Sequence, residues 1–152
     1  MKKFLIISIM TIFLVCGALA SVSAENTYDD SLIDGLNVSY DLSESLNDAK
    51  LENKTVMLVF DQDSCIYCEM LKDGTLSDSD VQKEINEKFI PVIIDVNKDY
   101  DTADKYDVFG TPLIVFVDDS GDEIGRIEGY VDSSEFLQEI NNLNLWFFYN
   151  LI

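Results

Sequence analysis

Three short apolar runs, Val56–Phe60, Ile90–Asp95 and Leu113–Val117, constrain this chain more than anything else in it. Each is continuous rather than alternating and rich in β-branched residues, so each reads as a strand covered on both faces. The stretches between them carry helical spacing. Asp41 with Glu44 makes a cap before Leu42, Leu46, Ala49 and Leu51. Cys65–Leu76 reads as a helix weakened at Asp73–Gly74, Ser77–Phe89 stacks Val81, Ile85 and Phe89 on one face, and Asp99–Tyr106 makes a short helix. A turn at Asp118–Gly121 leads to a half-exposed strand, Glu123–Tyr130. Ser133 or Ser134 then caps a last helix with Phe136, Leu137, Ile140 and Leu143. Val38 and Tyr40 suggest a short edge strand at the start. The pattern predicts an α/β fold: a central mixed sheet, parallel strands joined through helices, a closing hairpin, and helices on both faces. A length of 152 residues suits one domain.

The first 24 residues form a separate object. Lys2 and Lys3 precede the uncharged run Phe4–Ala20, and small residues follow at Val22-Ser23-Ala24, the pattern of an export signal. Cleavage is expected after Ala24, with Ala20 as second choice; the alternative is an uncleaved anchor. Either way the chain is expected to work outside the cytoplasm, secreted or held at the outer face of the membrane. Residues 25–40 read as a polar lead-in. Beyond the domain, expected over 41–145, lies an apolar tail, 146–152. It either packs on the sheet or docks on a partner or membrane surface; membrane contact is expected only through this tail or the N-terminal segment.

Charge and composition narrow the chemistry. Ten basic against 29 acidic side chains leave a net charge of −19, and there is no histidine. Histidine-dependent nucleophiles and imidazole zinc sites are excluded, and nucleic acid is a poor partner for so acidic a surface. A hydrophobic fraction of 47% is too high for a disordered acidic chain.

Apart from Cys16 in the leader, the cysteines are Cys65 and Cys68. A helix that begins at Cys65, just after a strand, sets that sulfur against unpaired backbone N–H groups and the positive end of the helix dipole. Both favour thiolate, the species that attacks disulfides. A spacing of two residues brings Cys68 one turn back onto Cys65. Cys65 is therefore expected as the exposed attacking thiol and Cys68 as the buried resolving one. A structural disulfide and copper carriage on two thiolates are the competing readings. Two thiols without histidine are too few donors for zinc, and no metal or organic cofactor is expected.

From about Leu42 to Ile140 the chain resembles the thioredoxin family. The resemblance rests on Val56–Phe60 before Cys65-Ile66-Tyr67-Cys68, on Ile93-Ile94-Asp95-Val96-Asn97, and on Lys105 through Thr111-Pro112-Leu113. Within the family, the stretch from Cys65 to Val81 looks most like exported thioredoxin-related proteins and the C-terminal domains of transmembrane disulfide reductases. The resemblance implies a thioredoxin-like fold and a cis bond at Thr111–Pro112 beside the cysteines. It also implies pairing of Thr111 backbone groups with a client strand; Tyr67, from its place between the cysteines, is expected at the exposed site rim in contact with substrate, with a packing role as the alternative. It further implies thiol–disulfide exchange with protein clients, and a membrane reductase as electron donor. The rival function is a non-catalytic peptide-binding or assembly module on the same groove.

The departures from the family are local. Ser64 stands where members commonly carry Trp, and Ile66-Tyr67 where they carry Gly-Pro. Val59 and Pro91 occupy the places of a buried acid and its lysine partner. No proton acceptor for Cys68 is obvious, Glu69 and Asp61 being candidates by proximity alone, and nearby carboxylates are expected to raise the Cys65 pKa.

Overall fold

The computed structural model describes residues 33–150, the side chains of 144–150 excepted. The expected export segment, most of the lead-in and the last two residues lie outside that range. The elements run α1 (Leu42–Glu52), β1 (Thr55–Asp61), α2 (Ile66–Met70) continuing into a π turn (Leu71–Thr75), α3 (Ser79–Lys88), β2 (Phe89–Asp95), α4 (Tyr100–Lys105), β3 (Leu113–Val117), β4 (Glu123–Glu128) and α5 (Ser133–Asn150). The sheet has the order β2-β1-β3-β4. β1 and β2 pair in parallel, whereas β1–β3 and β3–β4 are antiparallel.

The parallel crossover is thus confined to β1 and β2. Between β2 and β3 the chain passes through the six-residue α4 and returns to the end of the sheet from which it left. β3 therefore starts at the end where β2 stops: Leu113 pairs with Phe60, and Asp95 with Asp61. That places the Cys65 loop and the Thr111–Pro112 segment at the same end of the sheet.

The three apolar runs are covered on both faces. In β1, Met57 and Val59 point into a cluster with Leu71, Leu76, Val81, Ile85, Phe116, Phe136 and Ile140, beneath α2, α3 and α5. Val56, Leu58 and Phe60 point into the opposite cluster with Ala49, Ile94, Tyr106 and Val115, beneath α1 and α4. The phenol of Tyr106 donates to the Gly121 carbonyl at 3.0 Å, which satisfies its one polar atom inside that layer. On β4, Gly125 has no side chain because Leu143 of α5 lies against it: a Cβ there would come within 2.2 Å of a Leu143 methyl.

Several local expectations shift. The edge strand at Val38–Tyr40 shrinks to one bridge, in which Ser39 donates to the Pro91 carbonyl and accepts from Ile93. Pro91 stands third in β2, tolerated because β2 is an edge of the four-stranded sheet, where a missing N–H costs least. Ile33 and Leu36, at the end of the stretch read as a polar lead-in, are buried in the core with α3's face. Phe89 leaves its expected helix to open β2, and the weakness expected at Asp73–Gly74 takes the form of a π turn, closed by Leu76 N–H donating to the Leu71 carbonyl. β4 stops at Glu128, short of Tyr130. The last helix continues to Asn150. No helix among the described residues is long and apolar enough to cross a membrane.

Two stability outcomes follow from this packing. Phe136, fully buried where α5 meets the sheet, should cost about 3–5 kcal/mol when replaced by alanine, read from urea unfolding of the oxidised protein. Burial raises the Asp95 pKa, but hydrogen bonds from Lys98 and the Asn97 N–H outweigh it and leave the carboxyl below its ordinary value. A depressed folded pKa stabilises above the unfolded value and loses that contribution as pH falls through the folded one. Acid unfolding of Asp95→Asn should accordingly show a shallower loss of stability below about pH 4 than the parent chain.

Candidate active site

β1 leaves the sheet at Asp61, and Gln62–Ser64 form the loop that delivers Cys65. Ser64 takes a left-handed φ of 63°, a turn that aims the next residue back toward the sheet end. Cys65 is the N-cap of α2, and its sulfur accepts from the Cys68 N–H at 3.2 Å. Cys65 and Cys68 are joined in a disulfide, with Cα atoms 5.2 Å apart. Cys65 is 8% exposed and Cys68 2%. The more accessible sulfur is thus the one at the helix start, yet Cys65 is not the openly exposed residue expected from its cap position, because neighbouring loops close over it.

One of those loops carries Thr111. Its hydroxyl lies 3.6 Å from the Cys65 sulfur, a long contact from donor to sulfur. The Thr111–Pro112 bond is cis. Pro112 is buried, and its carbonyl accepts from the Gly129 N–H at 2.9 Å, which holds the loop to the end of β4. Between this loop and β4 runs a groove of about 290 Å³, lined by Phe109, Thr111, Pro112, Arg126 and Glu128. Arg126 spans its floor, donating to Glu123 and to the Tyr106 carbonyl. The structure therefore brings Cys65, Cys68, Thr111 and Pro112 together. Tyr67, between the two cysteines, is 57% exposed, and its neighbours in the chain Ile66 and Met70 are exposed as well.

Two features here were not read from the sequence. Phe109 lines the groove and is almost wholly exposed. Lys72 is the one buried charged side chain among the described residues. Its ammonium contacts Asp61 at 2.8 Å and Glu69 at 2.9 Å. Burial lowers its pKa, but the hydrogen bonds and charges of Asp61 and Glu69 more than compensate, so Lys72 is held above its ordinary value and stays protonated. The two acids considered as acceptors for Cys68 are thus both engaged with this lysine. The i,i+3 spacing of Glu69 and Lys72 was visible in the sequence; the third partner, from the end of β1, was not.

Comparison with known proteins agrees with this geometry. A family model described as a thioredoxin-like domain matches residues 42–144. The thiol:disulfide interchange protein DsbD of Yersinia pestis is 33% identical over 99 residues, covering 62% of this chain and 17% of that protein. The chain thus spans about a sixth of the length of the curated relatives it matches. Among solved structures, a thioredoxin from Thermus thermophilus superposes with a TM-score of 0.64 at 31% identity, covering 72% of this chain and 87% of that one. The oxidised C-terminal domain of Neisseria meningitidis DsbD gives a TM-score of 0.57 at 23% identity, over 66% of this chain and 90% of that domain, and speaks for the fold alone. With a paired Cys-x-x-Cys at the end of a mixed four-stranded sheet and a family match across most of its length, the chain belongs to the thioredoxin-like domain family.

Proposed function

We propose that the chain exchanges disulfides with protein clients outside the cytoplasm, with Cys65 as nucleophile and Cys68 as resolving thiol. The observation that carries this reading is the Cys65–Cys68 bridge: a disulfide closing so short a loop restrains little unfolded-chain entropy, which leaves reactivity as its use. In the reduced protein, the Cys65 thiolate attacks one sulfur of a client disulfide. That bond breaks, a Cys65–client disulfide forms, and the client's other sulfur leaves as a thiolate that takes a proton from water. Cys68 then yields its proton to water and attacks the Cys65 sulfur, and the second client sulfur leaves. Two electrons have passed to the client, and the Cys65–Cys68 bridge remains. The same steps in reverse oxidise a client dithiol. Turnover as a reductant draws its two electrons from a dithiol donor, a membrane reductase in this reading.

The client lies across the groove. Thr111 offers backbone groups to an extended segment, Pro112 fixes the loop that presents them, and Tyr67 supplies an apolar rim on the other side of the sulfurs. The location rests on the leader pattern at residues 1–24 and on the kinship with interchange proteins.

Insulin reduction driven by dithiothreitol should run clearly faster with the protein than without it. No acceleration by a folded, reducible chain would instead favour a peptide-binding module without turnover. Cys68→Ser, which stops the second step, should accumulate client proteins cross-linked through Cys65 that reducing agent releases. Recovery of none from an extracytoplasmic extract would count against the catalytic reading. Cys65→Ser, tested beside it, should capture far fewer.

A further inference from the structure

We propose that Lys72 is a positioning residue for this exchange: its ammonium, pinned between Asp61 and Glu69 one helical turn past Cys68, sets the charge felt by the two sulfurs and so fixes how readily the reduced pair ionises. The inference deepens the function proposed above. It starts from geometry. Side chains on a helix lean toward its N-terminus, so a residue four positions after Cys68 reaches back over the turn that holds Cys68, with Cβ atoms about 6 Å apart. The contacts agree with that direction. Lys72 reaches Glu69, the residue next to Cys68, and Asp61, the last residue of β1 before the loop carrying Cys65.

The lysine therefore bridges the two elements that flank the disulfide. Asp61 is fixed at its other oxygen by the Gln62 N–H at 2.7 Å, and its side chain is only 14% exposed. A charged group held this firmly out of water is screened little, and its field reaches the sulfurs through protein rather than solvent. The three charges sum to −1. Without the ammonium they would sum to −2 beside a thiol that must become negative. The other charged groups on the surrounding elements are Asp63 in the loop, Asp73 in the π turn, and Asp95 paired with Lys98 at the end of β2. Lys72 is thus the buried cation among acidic neighbours in the chain. It also stands in a chain whose Val59 and Pro91 supply no charge at all beneath the site.

The sign of each substitution follows from Coulomb's law. Lys72→Met removes a positive charge and should raise the Cys65 pKa. Iodoacetamide alkylation at pH 6 should slow by about threefold or more, and the potential of the pair against glutathione should become more negative, since the reduced form loses stabilisation. Glu69→Gln removes a negative charge from a side chain that is 55% exposed, so it leaves nothing stranded; it should speed alkylation and move the potential the other way. Lys72→Arg should restore parental values. Both measurements use small reagents and no protein client. A failed insulin assay together with these opposed shifts would therefore sink the client reading and leave the Lys72 inference standing. Unchanged pKa and potential in Lys72→Met, even with lower stability, would reduce Lys72 to a structural clamp and overturn it. If Lys72→Met does not fold, Glu69→Gln decides alone: no change, or a slower alkylation, overturns the inference.

Discussion

The burial of β1 is the constraint from which the rest follows. Its residues Val56 to Phe60 are covered on both faces and paired on both sides, so the strand has no freedom of register, tilt or exit. A one-residue slip would exchange the two clusters, sending Met57 and Val59 toward α1 and α4. The point at which the chain leaves the sheet is therefore fixed at Asp61. Four residues later a sulfur must appear there, and it does so at the start of a helix. The cysteine pair owes its place to a strand buried beneath it.

The second half of the site arrives by a different route to the same end. Because the connection through α4 ends where it began, the loop before β3 is laid beside the Cys65 loop, and Gly129 holds it through the Pro112 carbonyl. The groove between this loop and β4 is thus built from a connection, whereas the sulfurs are built from a strand end. Different demands act on them. The strand end must be rigid for the two sulfurs to meet, while the groove's lining carries exposed side chains, Phe109 above all.

Much of this was legible in the sequence because the signals were local. Three continuous apolar runs announced covered strands, the cysteine spacing announced the pair, and Asp41 with Glu44 announced the cap that Asp41 makes to the Glu44 N–H. Where the sequence misled, a long-range contact had decided. The direction of β3 depends on where the connection from β2 delivers it rather than on anything in Leu113–Val117. The polar stretch before residue 40 hides Ile33 and Leu36, whose burial depends on α3 lying over them. Lys72 looked like any surface lysine on a helix, since its second partner is eleven residues away at the end of a strand.

The two outer strands bear on how such a chain behaves in company. β2 offers a neighbouring strand little, because Ser39 already uses the Pro91 carbonyl and the Ile93 N–H, and Pro91 contributes no N–H. β4 is short, is joined to β3 through a register shift at Phe116/Val117, and places Glu123, Arg126 and Glu128 along its length. Both borders thus discourage the edge-to-edge stacking through which exposed sheets polymerise. A chain with both borders so guarded can meet extended, strand-prone polypeptide without being recruited into its aggregates.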